Sequence, residues 1–296
     1  MNTPRALFLG RTTLDALYWL ERFPDEDTKG YASGFHVAPG GPALNAAITH
    51  ALLGGKAMLI SAVGGGPWAV PLRSELERHN IDLLDLAAGT AYEAPLSAVL
   101  VNGSNGSRTV VNPPLVEMPL SRFARGWEAE LQPEWGETPR VLLTDGFFFN
   151  EVSTLMTSLR DAGTTLCLDG GSWKPGTPEL ASLLTVAICS ERFRVPGQAS
   201  DAEAIFAFFA AKCVPYIAVT RGGRSILGWD RGRRFEIEIA PIAAKDTLGA
   251  GDVLHGAFCY FFALEREFEA ALRRAAEVAT LSCQHVGTQA WAAQGR

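Results

Sequence analysis

Asp246-Thr247-Leu248-Gly249-Ala250-Gly251-Asp252 lies between a strand-like segment, Phe235–Ile242, and an apolar helix that runs to Leu264. The small residues at 249–251 leave backbone N–H groups unobstructed where the helix starts. Unpaired donors and the helix dipole favour an anion at that point. A role as a helix cap would explain the aspartate. It would not explain the three small residues before the aspartate or the strongly apolar helix after it. The stretch predicts a strand, an anion-binding turn and a buried helix.

The rest of the chain alternates short apolar runs with stretches of helical spacing. The predicted strands are Ala6–Leu9, Ala57–Val63, Val141–Thr144, Thr165–Asp169, Val186–Ser190 and Tyr216–Thr220. Strands that alternate with helices predict a mainly parallel sheet covered on both faces. We therefore expect an α/β fold, a three-layer α/β/α sandwich with a mainly parallel central sheet.

Two segments interrupt this alternation. Residues 11–38 carry an alternating pattern and then a polar loop, and residues 92–113 read as a hairpin of Leu96–Val101 and Arg108–Val111. Both segments predict strands outside the main sheet, which would form a small β lid over one end of the body. With no repeat or clear linker, residues 1–296 are expected to form a single domain.

Composition restricts the classes of function. The 296 residues carry a formal charge of −6, which argues against a nucleic-acid binder because such proteins need a basic face. The apolar run Ala6–Leu9 is too short for a signal peptide or a membrane span. The five cysteines form no CxxC pair and predict reduced, buried thiols. We expect a cytoplasmic protein without a membrane or nucleic-acid partner.

The 246–252 stretch also fits phosphoryl transfer. The transferred group spreads negative charge over its oxygens, and preorganised N–H donors stabilise that charge. A carboxylate beside the donors, Asp252, can take the proton from an attacking hydroxyl.

A second candidate site is Gly40-Gly41-Pro42-Ala43-Leu44-Asn45, which again runs from a glycine pair into a helix. A flexible helix entry explains the glycines equally well. In the functional interpretation they let a ligand approach the backbone, and Asn45 offers both a donor and an acceptor to hydroxyls. Asp15, just after the first strand, could bind two more hydroxyls. A carboxylate and an amide converging on one place suit a polyol.

Gly-Gly-x-x-x-Asn-x-Ala near the start and Asp-Thr-x-Gly-Ala-Gly-Asp near the end resemble the two signatures of the ribokinase (PfkB-type) family of carbohydrate kinases. The similarity spans nearly the whole chain. Asp15-Ala16-Leu17-Tyr18 resembles the family's first lid strand, and Gly106–Val110 its second lid hairpin. Val219–Gly223 resembles the strand and turn that border the nucleotide. The resemblance implies an ATP-dependent kinase acting on a hydroxyl of a sugar-like molecule, with Mg²⁺ accompanying the ATP and a homodimer formed through the lid.

The same resemblance implies a role for each matching position. Gly249, Ala250 and Gly251 would form the anion hole, and Asp252 would be the base. The implied substrate contacts are Asp15, Gly40, Gly41, Asn45 and Asn112; the implied ATP contacts are Ser190, Thr220, Gly222 and Gly223. Main-chain groups around Asp246 and Thr247 would bind a monovalent cation such as K⁺.

Departures from the family pattern leave the acceptor open. Gly65–Trp68 replaces a usual acidic residue, and Ser190-Glu191-Arg192-Phe193 replaces the usual Asn-x-x-Glu. Asp169-Gly170-Gly171 and the residues around Asp252 look closest to the sulfofructose kinase branch, and ketohexokinase-like members also have Ser at 190. Phe147-Phe148-Phe149 shows no evident cation for an anionic sugar. The alternatives are a nucleoside kinase, with Tyr18, Trp19 or Phe35 as a stacking partner, and a non-catalytic sugar-binding protein on a kinase fold.

Overall fold

The computed structural model describes residues 3–104, 107–114 and 138–294. Within these residues a nine-stranded sheet has the order β13-β12-β11-β10-β9-β8-β1-β4-β5. Its strands are β1 (Arg5–Leu9), β4 (Lys56–Ser61), β5 (Asp82–Asp85), β8 (Val141–Thr144), β9 (Thr165–Gly170), β10 (Val186–Ser190), β11 (Tyr216–Arg221), β12 (Arg224–Asp230) and β13 (Arg233–Ile237). The strands from β11 to β5 are parallel, while β12 and β13 add an antiparallel edge.

Helices cover both faces of this sheet. The described helices are α1 (Pro42–Leu52), α2 (Ala69–Arg78), α3 (Phe149–Asp161), α4 (Thr177–Ala181), α5 (Ala202–Ala211), α6 (Ala250–Glu265) and α7 (Phe268–Ser282), and a 3₁₀ turn spans Ala290–Gln294. On β1, Ala6 and Phe8 pack with α1, α2, α6 and α7, while Leu7 and Leu9 pack with α3, α4 and α5. Alternate residues of one strand enter opposite cores because successive side chains point to opposite faces.

A second sheet of four strands has the order β3-β2-β6-β7. It consists of β2 (Thr13–Leu20), β3 (Gly34–Gly40), β6 (Leu96–Asn102) and β7 (Arg108–Val111). β2 pairs parallel with β6, and the two outer pairings are antiparallel. The connection from β3 into α1 is immediate, so this sheet is anchored directly to the first helix of the body.

The predicted three-layer α/β sandwich is confirmed, and the six predicted parallel strands match the observed ones within two residues at each end. The strand expected at Phe235–Ile242 is observed as Arg233–Ile237, five residues shorter at its end. The sequence analysis missed β5, whose Asp-Leu-Leu-Asp is too short for a clear pattern, and the strand Gly34–Gly40, which it assigned to a polar loop. β3 is largely exposed, so no apolar alternation marked it. None of the described helices is long and apolar enough to cross a membrane.

Candidate active site

The candidate site lies where the parallel strands end and α6 begins. Gly249 precedes α6 with φ +67°, a left-handed conformation that favours glycine. A Cβ there would also stand 2.4 Å from Thr288 Cγ2. A Cβ on Gly251 would meet no atom within 4 Å, which leaves open space beside the turn. The turn thus has the unobstructed backbone that the sequence predicted.

Asp252 lies in the first turn of α6 and faces α1. Asn45 Nδ2 donates a hydrogen bond of 2.7 Å to its Oδ2. Burial raises the pKa of Asp252 to about 7, and the charge of Asp169 adds to the rise. The Asn45 bond and the positive field of Arg108 act in the opposite direction. A carboxyl that titrates near neutral pH suits a general base.

α1 can approach α6 closely because residue 256 is glycine. A Cβ on Gly256 would stand 2.3 Å from the carbonyl oxygen of Ala46. This close packing of the two helices brings Asn45 within reach of Asp252, across 207 positions of sequence.

His255 is fixed one turn after Asp252. Its Nδ1 lies 2.7 Å from the Gly251 carbonyl oxygen and 3.5 Å from Asp169 Oδ2. Its Nε2 lies 3.2 Å from the Ile188 carbonyl oxygen, so the ring joins α6 to β10. The histidine is a packed helix residue that holds the start of α6 on the sheet.

The predicted substrate residues are joined by hydrogen bonds and close packing. Asp15 accepts a bond of 2.8 Å from Thr13 Oγ1, and its cross-strand neighbour Ser97 donates from Oγ to Asn112 Oδ1 at 2.8 Å. A Cβ on Gly40 would stand 2.1 Å from Asp15 Oδ2, so only glycine leaves room for this carboxylate. Burial raises the pKa of Asp15 above its ordinary value. The structure therefore brings these residues together on one side of the site.

The glycine at 41 has a structural reason of its own. Gly41 caps α1 with φ +104°, and a Cβ there would stand 2.4 Å from the Arg11 carbonyl oxygen. The backbone N–H of Asn45 donates to the Gly41 carbonyl oxygen at 3.0 Å, which closes the first turn of α1. Glycine is needed here for the chain path, so this position is explained without a ligand.

The residues predicted to contact ATP lie on the neighbouring strands. Ser190 and Thr220 are paired across β10 and β11, and Gly222, with φ +64°, turns the chain into β12 beside Gly223. A cavity with a volume of about 370 Å³ opens between residues 237–242 and α7. Its apolar lining includes Ile237, Ile239, Ala276 and Leu281. The sequence analysis missed this cavity because its two walls are about 40 positions apart.

The predicted cation residues already have partners. Asp246 accepts from the Leu248 amide at 2.8 Å and the Gly287 amide at 2.9 Å. Arg108, on β7, donates to the Thr247 carbonyl oxygen at 2.8 Å. The small sheet thus contacts the turn before α6 directly. Among residues 3–104, 107–114 and 138–294, no group of three or more His, Cys, Asp or Glu could hold a metal ion.

The departures from the family pattern have structural explanations. Phe193, where the family's usual glutamate would stand, is 2% exposed and packs against Trp173 and Phe209. Glu191 is ion-paired with Arg224. Residue 193 is therefore part of the apolar core and contributes no carboxylate to the site.

Two charged residues at this sheet edge, Asp145 and Asp169, were missed as site residues. Asp145 follows β8, is 4% exposed, and accepts from the backbone amides of Arg11 at 2.8 Å and Phe147 at 2.9 Å. Burial raises its pKa to about 6. Asp169, in β9, is 7% exposed. Their positions at the carboxyl ends of buried parallel strands gave a usable signal, because such ends meet at one edge of a sheet.

The segment 147–149 has no cation of its own, but the fold places two cations from elsewhere in the chain beside Phe147. The Arg11 guanidinium carbon lies 5.5 Å from the centre of the Phe147 ring, and Lys174 Nζ lies 4.6 Å from it. Both cations are brought there by the fold, from positions far away along the chain.

Comparisons with known proteins show which proteins this chain resembles in sequence and in fold. The chain is 27% identical to fructokinase of Salmonella typhimurium over 234 residues, 72% of this chain and 73% of that protein. It is 27% identical to mouse ketohexokinase over 111 residues, 38% of this chain but only 37% of the enzyme. The structure of Arabidopsis thaliana ribokinase, complexed with ribose and ATP, matches with a TM-score of 0.75 and 20% identity over 97% of this chain and 94% of that one. Residues 5–294 match the pfkB family of carbohydrate kinases, and the chain belongs to that family.

Proposed function

We propose that this carbohydrate kinase transfers the γ-phosphoryl group of ATP to a primary hydroxyl of a sugar or close relative, with Asp252 as the general base. The observation that carries the proposal is the 2.7 Å contact between Asn45 Nδ2 and Asp252 Oδ2 beside the open turn 249–251. It joins the base, the anion-binding turn and a polar group for the acceptor in one place.

In the proposed reaction, Asp252 takes the proton as the acceptor oxygen bonds to the γ-phosphorus. The bond from that phosphorus to the β–γ bridging oxygen breaks, and ADP leaves. The backbone N–H groups of Gly249, Ala250 and Gly251 would stabilise the charge on the transferred oxygens. Removal of the general base should therefore lower the rate by about 10²–10⁴-fold.

The acceptor is proposed to lie between Asp15, Gly40, Gly41, Asn45 and Asn112. Asp15 and Asn45 supply acceptors and a donor suited to several hydroxyls. The hydrogen bond from Thr13 fixes the Asp15 carboxylate, so it would be preorganised for a polyol.

ATP is proposed to lie along Ser190, Thr220, Gly222 and Gly223, with its adenine in the cavity between residues 237–242 and α7. Apolar walls such as Ile237, Ile239 and Leu281 suit a flat aromatic base. Mg²⁺ usually binds through substrate phosphates, water and one or two carboxylates, so the lack of a three-ligand cluster among the described residues does not conflict with it. A monovalent cation such as K⁺ is proposed to bind the main-chain groups around Asp246 and Thr247.

The small sheet is proposed to be the lid of a single-domain enzyme and to carry a homodimer interface. Its β2 strand places Asp15 and Tyr18 on opposite faces, because their separation is odd. The Tyr18 face is rich in exposed apolar side chains, which are Tyr18, Phe35, Val37, Leu96 and Val111. An exposed apolar patch of this kind favours association with a second copy.

The same geometry makes a nucleoside acceptor the weaker candidate. Tyr18 and Phe35 pack on each other with ring centres 4.8 Å apart, on the face away from Asp15. Only Trp19, which shares the face of Asp15, stays available as a stacking partner among the three aromatic residues that the sequence suggested.

The testing experiment measures ATP consumption against panels of sugars, sugar acids, sulfosugars and nucleosides. Asp252→Asn is compared with Asp25→Asn, a change at an exposed loop carboxylate. We expect turnover on one acceptor class that falls by at least about 100-fold in Asp252→Asn only. No turnover on any acceptor, with a sugar still bound equally by the wild type and Asp252→Asn, would establish the non-catalytic alternative instead.

A further inference from the structure

Arg11 and Lys174 lie on one aromatic ring at the edge of the proposed acceptor site. Their distances to the Phe147 ring centre, 5.5 Å from Arg11 Cζ and 4.6 Å from Lys174 Nζ, are within the range of cation–π contacts. Gly146, with φ +81°, makes room for this arrangement, since a Cβ there would meet Lys174 Cδ at 3.2 Å. The backbone is thus shaped to let a second cation pass over the ring.

Asp145, two residues before Phe147, forms no ion pair with Arg11 or Lys174 within 4 Å, although the charge of Lys174 acts to lower its pKa. Both oxygens of Asp145 accept backbone amides, one from Arg11 and one from Phe147. Gly10 is required for this clamp, because a Cβ there would stand 2.3 Å from the Asp145 carboxyl group. Asp145 therefore positions the backbone that carries the cation and the ring.

The Arg11 guanidinium has no ion pair within 4 Å and no hydrogen-bond acceptor among the described residues. Within the part of the chain that the structure describes, the Lys174 ammonium donates to the Ser172 carbonyl oxygen, at 3.2 Å, and to Ser172 Oγ, at 3.3 Å, and to no carboxylate. Arg11 is partly buried, where an arginine is normally paired with an anionic or polar acceptor. Two cations on one ring repel each other, and an anion placed between them would relieve that repulsion.

The surroundings of Arg11 identify which reactant would bring the anion. Burial raises the pKa values of Asp15 and Tyr92, and the charge of Arg11 opposes the rise at both groups. The guanidinium is thus close to Asp15, which belongs to the proposed acceptor side. The residues with which Arg11 is described to interact, Asp15, Tyr92, Asp145 and Phe147, are not among those that we assign to ATP.

We propose that the acceptor is a sugar derivative that carries an anionic group, such as a carboxylate, a sulfonate or a phosphate, and that Arg11 binds this group with help from Lys174. Arginine can offer two parallel N–H donors to such a group, which gives both orientation and affinity. The anionic group would bind beside Phe147 while the hydroxyls of the same molecule bind Asp15 and Asn45. This inference rests on the proposed function and narrows its acceptor class.

The test separates binding from catalysis by using the Asp252→Asn protein without nucleotide. Calorimetry compares matched pairs of ligands: D-gluconate with D-sorbitol, D-fructose 6-phosphate with D-fructose, and a 6-sulfonated fructose with D-fructose. We expect the anionic member of at least one pair to bind more tightly. Adding Arg11→Gln should weaken that binding by about 10- to 100-fold and change binding of the neutral member by less than about threefold.

Three further variants sharpen the result. Arg11→Lys should restore part of the affinity, and Lys174→Gln should weaken anionic binding less than Arg11→Gln does. Arg160→Gln, at an exposed arginine paired with Asp161, is the control and should leave binding unchanged.

Equal binding of both members of every pair, unchanged by Arg11→Gln, would overturn the inference while leaving the kinase proposal intact. If Arg11→Gln, made alone in the active enzyme, changed only the KM for ATP, Arg11 would be assigned to the nucleotide phosphates, and this would also overturn the inference. Tight, Arg11-dependent binding of an anionic sugar that the wild-type protein does not phosphorylate would support the inference and refute the proposed function.

Discussion

Replacing Asp252 with Asn should stabilise the protein while it inactivates the enzyme. Burial, assisted by the charge of Asp169, raises the pKa of Asp252 from 3.8 to about 7. The unfolded chain keeps the ordinary pKa, so ionised Asp252 opposes folding. At 1.36 kcal/mol per pKa unit, the difference corresponds to at most about 4 kcal/mol above pH 7, and to less where water or local relaxation screens the charge.

The sign of the effect determines how it varies with pH. Below about pH 4 the Asp252 carboxyl is neutral in both the folded and the unfolded protein. Its contribution to the free energy of unfolding, relative to that of the ionised carboxylate, is then fully present. That contribution is lost as the pH rises from about 4 to about 7, and above pH 7 the loss is complete. Asn carries no charge at any pH, so the advantage of Asp252→Asn should grow over the same interval.

Thermal unfolding of the wild type, Asp252→Asn and the control Asp25→Asn, each at pH 5.5 and pH 8, measures this difference. A gain of 1 kcal/mol raises Tm by about 2–4 °C in a domain of this size. We expect the advantage of Asp252→Asn to be larger at pH 8 by on the order of 3–6 °C. Parallel pH profiles for all three proteins would refute the argument that the Asp252 charge is buried at a cost.

Three other perturbations test the proposed site. Because Asp252 must be ionised to accept a proton, kcat/KM should fall about tenfold per pH unit below about 7, and Asn45→Ala should shift this acidic side of the pH profile to higher pH, since it removes a hydrogen bond that lowers the pKa of Asp252. An unshifted pH profile in a stably folded Asn45→Ala protein would refute the role of this hydrogen bond. Gly249→Val should lower kcat by at least about tenfold, since a Cβ would clash with Thr288 at 2.4 Å and strain the turn, whereas Gly30→Ala, in open space, should leave kcat unchanged. Equal steady-state rates for the two variants would count against the proposed role of the turn in binding the transferred phosphoryl group. Asp15→Asn should raise the KM for the acceptor more than the KM for ATP in initial-rate assays, and the reverse pattern would exclude Asp15 from the acceptor site.

Much of the fold could be predicted because its signals are local. A strand buried on both faces is a short apolar run, and an apolar helix after a small-residue turn is visible in one stretch of sequence. Exposed strands such as Gly34–Gly40 carry no such signal, since nothing buries one face of their side chains. Their pairing with β2 becomes apparent only in three dimensions.

The candidate site was predictable where one motif carried the chemistry and was not predictable where the fold assembles it. The turn 249–251 with Asp252 is contiguous, so its unobstructed backbone followed from residue sizes. The pair Arg11 and Lys174 meets at Phe147 across 163 positions of sequence, and the linear neighbourhood of Phe147 is apolar. Contacts of this kind follow from the parallel sheet, whose strand ends gather at one edge whatever their order along the chain.

The contact of Arg108 with Thr247 links the small sheet to the chemistry. Arg108 lies on β7, yet it donates to the carbonyl oxygen of Thr247 and its charge opposes the rise in the pKa of Asp252. A movement of this sheet away from the body would therefore remove a cation from Asp252 and from the neighbouring turn together. Closure would favour the ionised base at the stage when excluding water is most useful, because a closed site strengthens every electrostatic interaction within it. In the proposed enzyme the small sheet would then tune the base as well as cover it.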